Sequence, residues 1–253
     1  MQQREADNSA GPATRGPAAA RAPRVTVQGG FSLRTPDNGT VPLVGEARRL
    51  LALLALRGNM VHRALVAGQL WSEVTERRAH SSLRSALARL PVQARTVVVI
   101  SPAEVGLTDG VTIDLRESRA LADRLLTPGG CPDTEDCSAR AVGMLSTDLL
   151  PGWDEDWASC EAEQWHQVRM HALEAMAHLV GMGRFGAAVE SAVWAIRVDL
   201  FRESGHAALI RVHLAEGNQS EALRQFATYR ELIVDELGLE PTPRLRALVF
   251  SSR

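Results

Sequence analysis

The stretch of this sequence best equipped for recognition chemistry is Glu76–Leu90, ERRAHSSLRSALARL. On a helix at about 100° per residue, Ala79, Leu83, Ala86, Leu87 and Leu90 fall on one side, as a core-facing stripe does. Arg78, Ser81, Ser85 and Ala88 fall opposite, with Arg77 and Arg84 along one flank and Ser82 and Arg89 along the other. No acid follows Glu76 in the stretch. Guanidinium groups reach phosphates and guanine edges, serine hydroxyls bond to either, and alanine permits close approach or contact with a thymine methyl. The outer side therefore has the make-up of a surface that reads a DNA groove. A solvated basic face has the same make-up, so the surrounding elements must decide between the two.

Other chemistries find little support. The sequence has no Lys, so all 28 basic residues are Arg and a P-loop lysine is excluded. GxSxG and HExxH are absent as well. Cys131 and Cys137 sit in an acidic loop with no His nearby, and their spacing is not that of a zinc site. His171 and His178 share a helix face but stand two turns apart, too far to chelate, and His166 reads likewise as a surface or packed residue. Asp154, Glu155 and Asp156 are consecutive between Trp153 and Trp157, which suits a linker better than a carboxylate pair. Trp153, Trp157 and Trp165 read as packing anchors. No catalytic, cofactor-binding or metal-ligating residue is assigned, and no cofactor is expected.

The 253 residues allow about two domains. The net charge of −2 is unevenly shared: residues 1–110 hold 14 Arg against 8 acids, and residues 111–253 hold 14 Arg against 22. A basic half beside an acidic one points to a polyanion-binding part and a part with another task. Three Cys in a chain of this size fit reduced thiols, no apolar run of 18 residues occurs, and the N-terminus has no signal-peptide core. A cytoplasmic location, with no membrane partner, is the expectation. The Ala, Pro, Gly and Arg richness of residues 1–23 reads as a disordered tail.

The elements that must position Glu76–Leu90 follow from periodicity. Val25–Leu43 reads as short strands with a turn at Thr35–Thr40, and Thr40–Val44 as a return strand whose Pro42 implies an edge. Glu46–Arg57 is a buried helix ended by Gly58-Asn59. Val61–Trp71 is a second helix with Leu65, Leu70 and Trp71 inward, and Thr75 is placed to cap the third. β signals follow at Thr96–Ile100, Val105–Leu107 and Val111–Leu115. Three helices with a terminal hairpin make a winged helix, whose third helix enters the major groove.

From Asp114 on the pattern is helical: Leu115–Leu126, Ser138–Leu145, Ala158–Gly181, Phe185–Val198, Glu203–Ala215, Ser220–Glu236 and a last helix from Thr242. Gly183 to Ala188 matches Gly217 to Ala222 at an offset of 34 residues, the tetratricopeptide period. The expected fold class is mainly α with a small β component: a winged helix-turn-helix domain, residues 24–113, then an all-α tetratricopeptide-like repeat domain, residues 114–253.

Arg48–Leu56 (RRLLALLAL), Leu70-Trp71, Ala79–Leu90 (AHSSLRSALARL), Val111–Leu115 (VTIDL), Leu149–Trp157 (LLPGWDEDW) and Leu237–Leu245 (LGLEPTPRL) together resemble the Streptomyces antibiotic regulatory proteins. In that family an OmpR-like DNA-binding domain is joined to a bacterial transcriptional activation domain. The resemblance spans residues 24–250. It implies a transcriptional activator, typically of a secondary-metabolite (antibiotic) gene cluster, that binds direct repeats at promoters. The implied partners are promoter double-stranded DNA, a second protomer side by side on it, and RNA polymerase holoenzyme through its sigma factor and the C-terminal domain of its alpha subunit. Pro91-Val92-Gln93 stands where the family often has an arginine, Phe201 where it has a proline between the helices of the first repeat, and the wing lacks the usual aromatic.

The site reading follows. Arg78, Ser81 and Ser85, with Arg84, face bases. Arg77, Ser82 and Arg89 grip phosphates. Arg48, Arg49 and Arg63 on the first two helices, and Thr108 at the wing, are lesser contacts. The rival reading is a helical-repeat adaptor whose basic N-terminal domain binds an acidic protein.

Overall fold

The computed structural model describes residues 22–58, 60–129, 132–133, 135–180 and 185–250, and among them the chain is mainly helical with short strands. β1 (Arg24–Thr26) and β2 (Ser32–Arg34) pair antiparallel, with buried Val25 opposite buried Leu33. β6 (Thr112–Ile113) joins the other edge of β1 in parallel, giving the order β2-β1-β6. Pro23, placed in the expected tail, belongs to this sheet's border, where its carbonyl accepts the Thr112 N–H at 2.9 Å. The expected return strand Thr40–Val44 is a single bridge between Thr40 and Arg34. Pro42 has no N–H to carry a ladder further.

α1 (Gly45–Arg57) buries every residue from Leu50 to Leu56. Gly58 ends it in the left-handed region at φ 78°, a conformation a side chain would strain. The second expected helix is divided. Val61–His62 is a strand, β3, and α2 runs only from Arg63 to Leu70. Val61 is drawn out by pairing with Val105, and the Arg63 N–H donates to the Ala103 carbonyl at 2.8 Å. In the shorter helix Val66, Ala67 and Leu70 face the core, and Leu65 points outward at 60% exposure, against expectation.

α3 (Glu76–Ala88) starts where expected and stops two residues short of Leu90. Thr75 precedes it in extended conformation, but its side chain makes no capping bond. A short helix α4 (Val92–Arg95) follows Pro91, in a segment whose periodicity announces no element. β4 (Val98–Ile100) and β5 (Glu104–Leu107) form the wing hairpin, and β3 pairs with the far side of β5. The third β signal, Val111–Leu115, is trimmed to β6 and belongs to the N-terminal sheet.

The remainder is helical: α5 (Asp114–Leu126), α6 (Ala139–Ser146), α7 (Asp156–Val180), α8 (Phe185–Val198), α9 (Glu203–Ala215), α10 (Gln219–Leu237) and α11 (Pro243–Phe250). The Ser138 hydroxyl caps α6 by accepting the Ala141 N–H at 3.2 Å. α7 with α8, and α9 with α10, are the two helix pairs of the 34-residue period. Ala188 on α8 and Ala222 on α10 are equivalent and fully buried. Gly217 makes the second turn at φ 77°, while Gly183 and Arg184 lie outside the described residues. Phe201 stands between the pairs, between α8 and α9, and not within the first pair.

One core runs from Val25 to Val212 through both halves, and a smaller one forms around α9, α10 and α11. The Asp114 carboxylate accepts N–H groups of Val27 (2.9 Å), Gln28 (3.1 Å) and Leu115 (2.8 Å), tying β1 to the start of α5. Burial pushes the Asp114 pKa up, and those three bonds pull against it. Trp157 and Trp165 are buried and Trp153 is half-buried, as anchors should be. No helix among the described residues is long and apolar enough to cross a membrane.

Candidate nucleic-acid interface

α3 divides as its periodicity requires. Ala79, Leu83, Ala86 and Leu87 are at most 5% exposed and pack toward α1 and α2, and Leu90 continues the stripe. Arg77, Arg78, Ser81 and Arg84 are exposed, as is Arg89 just past the helix end, while Ser82 and Ser85 are half-buried beside them. The structure thus brings the seven residues expected on this helix onto one accessible surface. Arg77 and Arg84 are separated by about 10 Å along the axis at 1.5 Å per residue.

The four guanidiniums here are free. Among the described residues Arg77, Arg78, Arg84 and Arg89 make no salt bridge and no side-chain hydrogen bond. Several arginines elsewhere are matched with acids, as in Arg24–Glu117, Arg124–Asp136 and Arg230–Glu240. Unmatched arginines in a row leave a positive potential that attracts a polyanion. Glu76, the one acid of the helix, lies at its N-terminus, 3.6 Å from His80.

A residue outside the expected set supports this surface. Arg95 Nη2 donates to the Ala88 carbonyl at 2.6 Å, a cation at the C-terminus of α3 where the helix dipole favours one. In the sequence it is only a basic residue shortly after the helix, and α4 is what turns it back.

The wing closes over Ser101–Ala103, where the Ser101 N–H donates to the Glu104 carbonyl and the Glu104 N–H to Ser101 Oγ, both at 2.9 Å. Val99 and Ile100 are more than 40% exposed. No arginine lies between residues 98 and 107. Thr108 is half-buried at the end of β5 away from this turn, its N–H on the Val97 carbonyl at 3.0 Å.

The lesser candidates are placed apart from the α3 group. Arg48 lies over the Trp153 ring, 4.7 Å from its centroid. Arg49 donates to Glu155 at 2.7 Å and to the Leu70 carbonyl at 2.9 Å. Both are spent where the two halves meet, together with Arg57 and Arg119, which share Glu161. Arg63 Nη1 reaches the Ser101 carbonyl at 3.3 Å and so holds the wing turn. His171 and His178 face Arg202 and Arg211 across helices, and Cys131 lies outside the described residues.

Comparison with known proteins agrees with this architecture. The regulatory protein AfsR of Streptomyces coelicolor is 27% identical over 215 residues, covering 80% of this chain and 21% of AfsR. The chain thus spans about a fifth of that relative's length. The structure of Mycobacterium tuberculosis EmbR, solved in complex with a low-affinity phosphopeptide, superposes with a TM-score of 0.61 at 22% identity. That match covers 90% of this chain and 64% of EmbR, and it shows a shared fold: a winged N-terminal domain with a helical domain. The bacterial transcriptional activator domain family matches residues 113–250, more than half of the chain. With this match over more than half of its length, the chain belongs to the bacterial transcriptional activator domain family.

Proposed function

We propose that this chain binds promoter DNA sequence-specifically through α3 and activates transcription by recruiting RNA polymerase through its helical half. Residues 24–113 are the DNA-binding part and residues 114–253 the activating part. The observation that carries the reading is the row of unmatched guanidiniums on the exposed side of α3, in a fold that matches most of its other arginines. Arg78, Ser81, Arg84 and Ser85 face bases, and Arg77, Ser82 and Arg89 face phosphates. The wing meets the flanking backbone through its main chain and Ser101, since it carries no cation. Arg48, Arg49 and Arg63 act indirectly, by holding the frame.

A heterologous side-by-side arrangement of protomers fits direct repeats, as the family resemblance implies, and the regulated genes are those of a secondary-metabolite cluster. The acidic helical half then meets the neighbouring protomer, the sigma factor or the C-terminal domain of the polymerase alpha chain.

The test is a mobility shift with the chain's own neighbouring promoters, specific against random competitor at moderate salt, followed by footprinting. A specificity ratio well above one with protection of a direct repeat is expected. Equal competition by random DNA would overturn sequence-specific binding and favour an acidic protein as the partner of the basic half. Protection of an inverted repeat would overturn the head-to-tail arrangement.

A further inference from the structure

A cleft of about 650 Å³ opens between the C-terminal part of α7, α9 and α11. Small-molecule sites occupy about 300–1,000 Å³. Ala207, Leu245 and Leu248 line it together with Arg211, Arg244, His178 and the acid Glu203. These residues come from three helices spread over seventy positions, and no spacing in the sequence links them.

The two guanidiniums share the cleft without an acid of their own. Neither Arg211 nor Arg244 forms a salt bridge among the described residues. Arg211 Nη1 donates instead to His178 Nε2 at 3.3 Å, which fixes its fork and requires the neutral imidazole. Burial and then Arg211 pull the His178 pKa down, which keeps it neutral. The Arg211 pKa is lowered as well, first by burial and then by Arg244, against the opposing pull of Glu174.

The nearest carboxylates are already engaged. Glu174 accepts from Arg202 at 2.8 Å and from Ser204 at 2.6 Å. Glu203 accepts the Thr242 N–H at 2.9 Å and the Thr242 hydroxyl. Other half-buried arginines, Arg49, Arg57 and Arg202 among them, receive an acidic partner. Two like charges that share a cleft, the Arg211 guanidinium partly desolvated, are unfavourable until an anion arrives between them. Guanidinium forks match the geometry of carboxylate and phosphate, and the apolar wall beside them suits a hydrocarbon body.

We propose that this cleft binds a small amphipathic anion, an apolar body bearing one carboxylate or phosphate group. Arg211 and Arg244 grip the head group, His178 positions Arg211, and Ala207, Leu245 and Leu248 cover the body. The site lies within the helical half and is separate from α3, so it is a ligand site of the activating part.

Isothermal titration calorimetry on the full chain tests this with decanoate, decyl phosphate, decanol and inorganic phosphate as probes, each below its micellar concentration. At least one amphipathic anion should saturate a single site, with decanol and inorganic phosphate at least about tenfold weaker. The tighter of decanoate and decyl phosphate identifies the head group. Arg211→Gln and Arg244→Gln should each weaken that anion about tenfold or more. Their melting temperatures without probe should hold or rise, because a repulsion is removed. Decanol binding as tightly as the anions, no saturable anion binding, or unchanged binding in both variants would overturn the proposal. So would a marked fall in either variant's melting temperature, which would make the arginine pair a structural feature.

Discussion

Arg49 and Glu155 meet where the winged helix joins the helical half, Nε to Oε1 at 2.7 Å. The same guanidinium bonds to the Leu70 carbonyl, so one side chain fastens α1, the end of α2 and the segment before α7. Its side chain is 32% exposed and that of Glu155 24%, so solvent screens the pair only in part. Arg49→Met keeps the apolar stem and removes these bonds. It should cost about 1–2 kcal/mol, and Glu155→Gln less, because the Leu70 bond survives. Chemical denaturation of both single variants and the double variant checks this. Strictly additive effects would mean that the pair is not coupled.

Glu161 is the deeper joint. Its side chain is 10% exposed and accepts from Arg57 and Arg119, each at 2.9 Å. Glu161→Gln would leave two guanidiniums, each about a third exposed, around a neutral amide. Breaking a fully buried pair costs about 3–5 kcal/mol, and the exposure of the arginines reduces this to about 2 kcal/mol. The urea midpoint should fall accordingly. A midpoint within error of the wild type would show that the triad does not hold the halves together.

Much of this was legible because each half of α3 obeys a strong rule. Leu83 and Ala86 are spaced for burial, and Arg78 and Ser81 cannot share their side. The helical half was legible for the same reason, from Ala188 and Ala222 at one offset. Short elements were not. Val61 and His62 follow helical periodicity until β5 claims them, and the decisive partner, Val105, is far along the chain. Leu65 is apolar but loses the competition for the inner side to Val66 and Leu70. Arg48 and Arg49 looked like phosphate contacts, because nothing local in the sequence announces Trp153 or Glu155 as their partners. Arg211 and Arg244 were invisible as a pair for the same reason.

The two sides of α3 predict opposite phenotypes. Leu83 is fully buried, so Leu83→Ala should cost about 3 kcal/mol and lower the melting temperature. Arg84 has no partner to lose, so Arg84→Ala should change stability by no more than about 0.5 kcal/mol. It should instead weaken DNA binding, and if it reaches a phosphate it should flatten the salt dependence by about one unit. Thermal melts with mobility shifts across a salt series separate the two effects. An Arg78→Ala, Arg84→Ala double variant that keeps full affinity for its repeat would remove α3 from the interface.

His206 supplies a pH dependence of stability. It is 2% exposed, its Nε2–H donates to the Leu200 carbonyl at 2.9 Å, and its Nδ1 accepts from the Gln225 amide at 2.7 Å. Tyr229 stacks beside it at 4.3 Å. Burial lowers its pKa below the ordinary 6.5, against the Leu200 bond and the charges of Glu203 and Asp199. The unfolded chain therefore binds a proton that the folded chain refuses in the window from about 6.5 down to the folded pKa. Stability is full above that window and falls as pH drops through it, by at most about 1.4 kcal/mol per pH unit for one proton. His178 shifts in the same direction, so wild type must be compared with His206→Gln. The variant's stability should fall less steeply between pH 7 and pH 5, and parallel curves would assign the pH dependence to other groups.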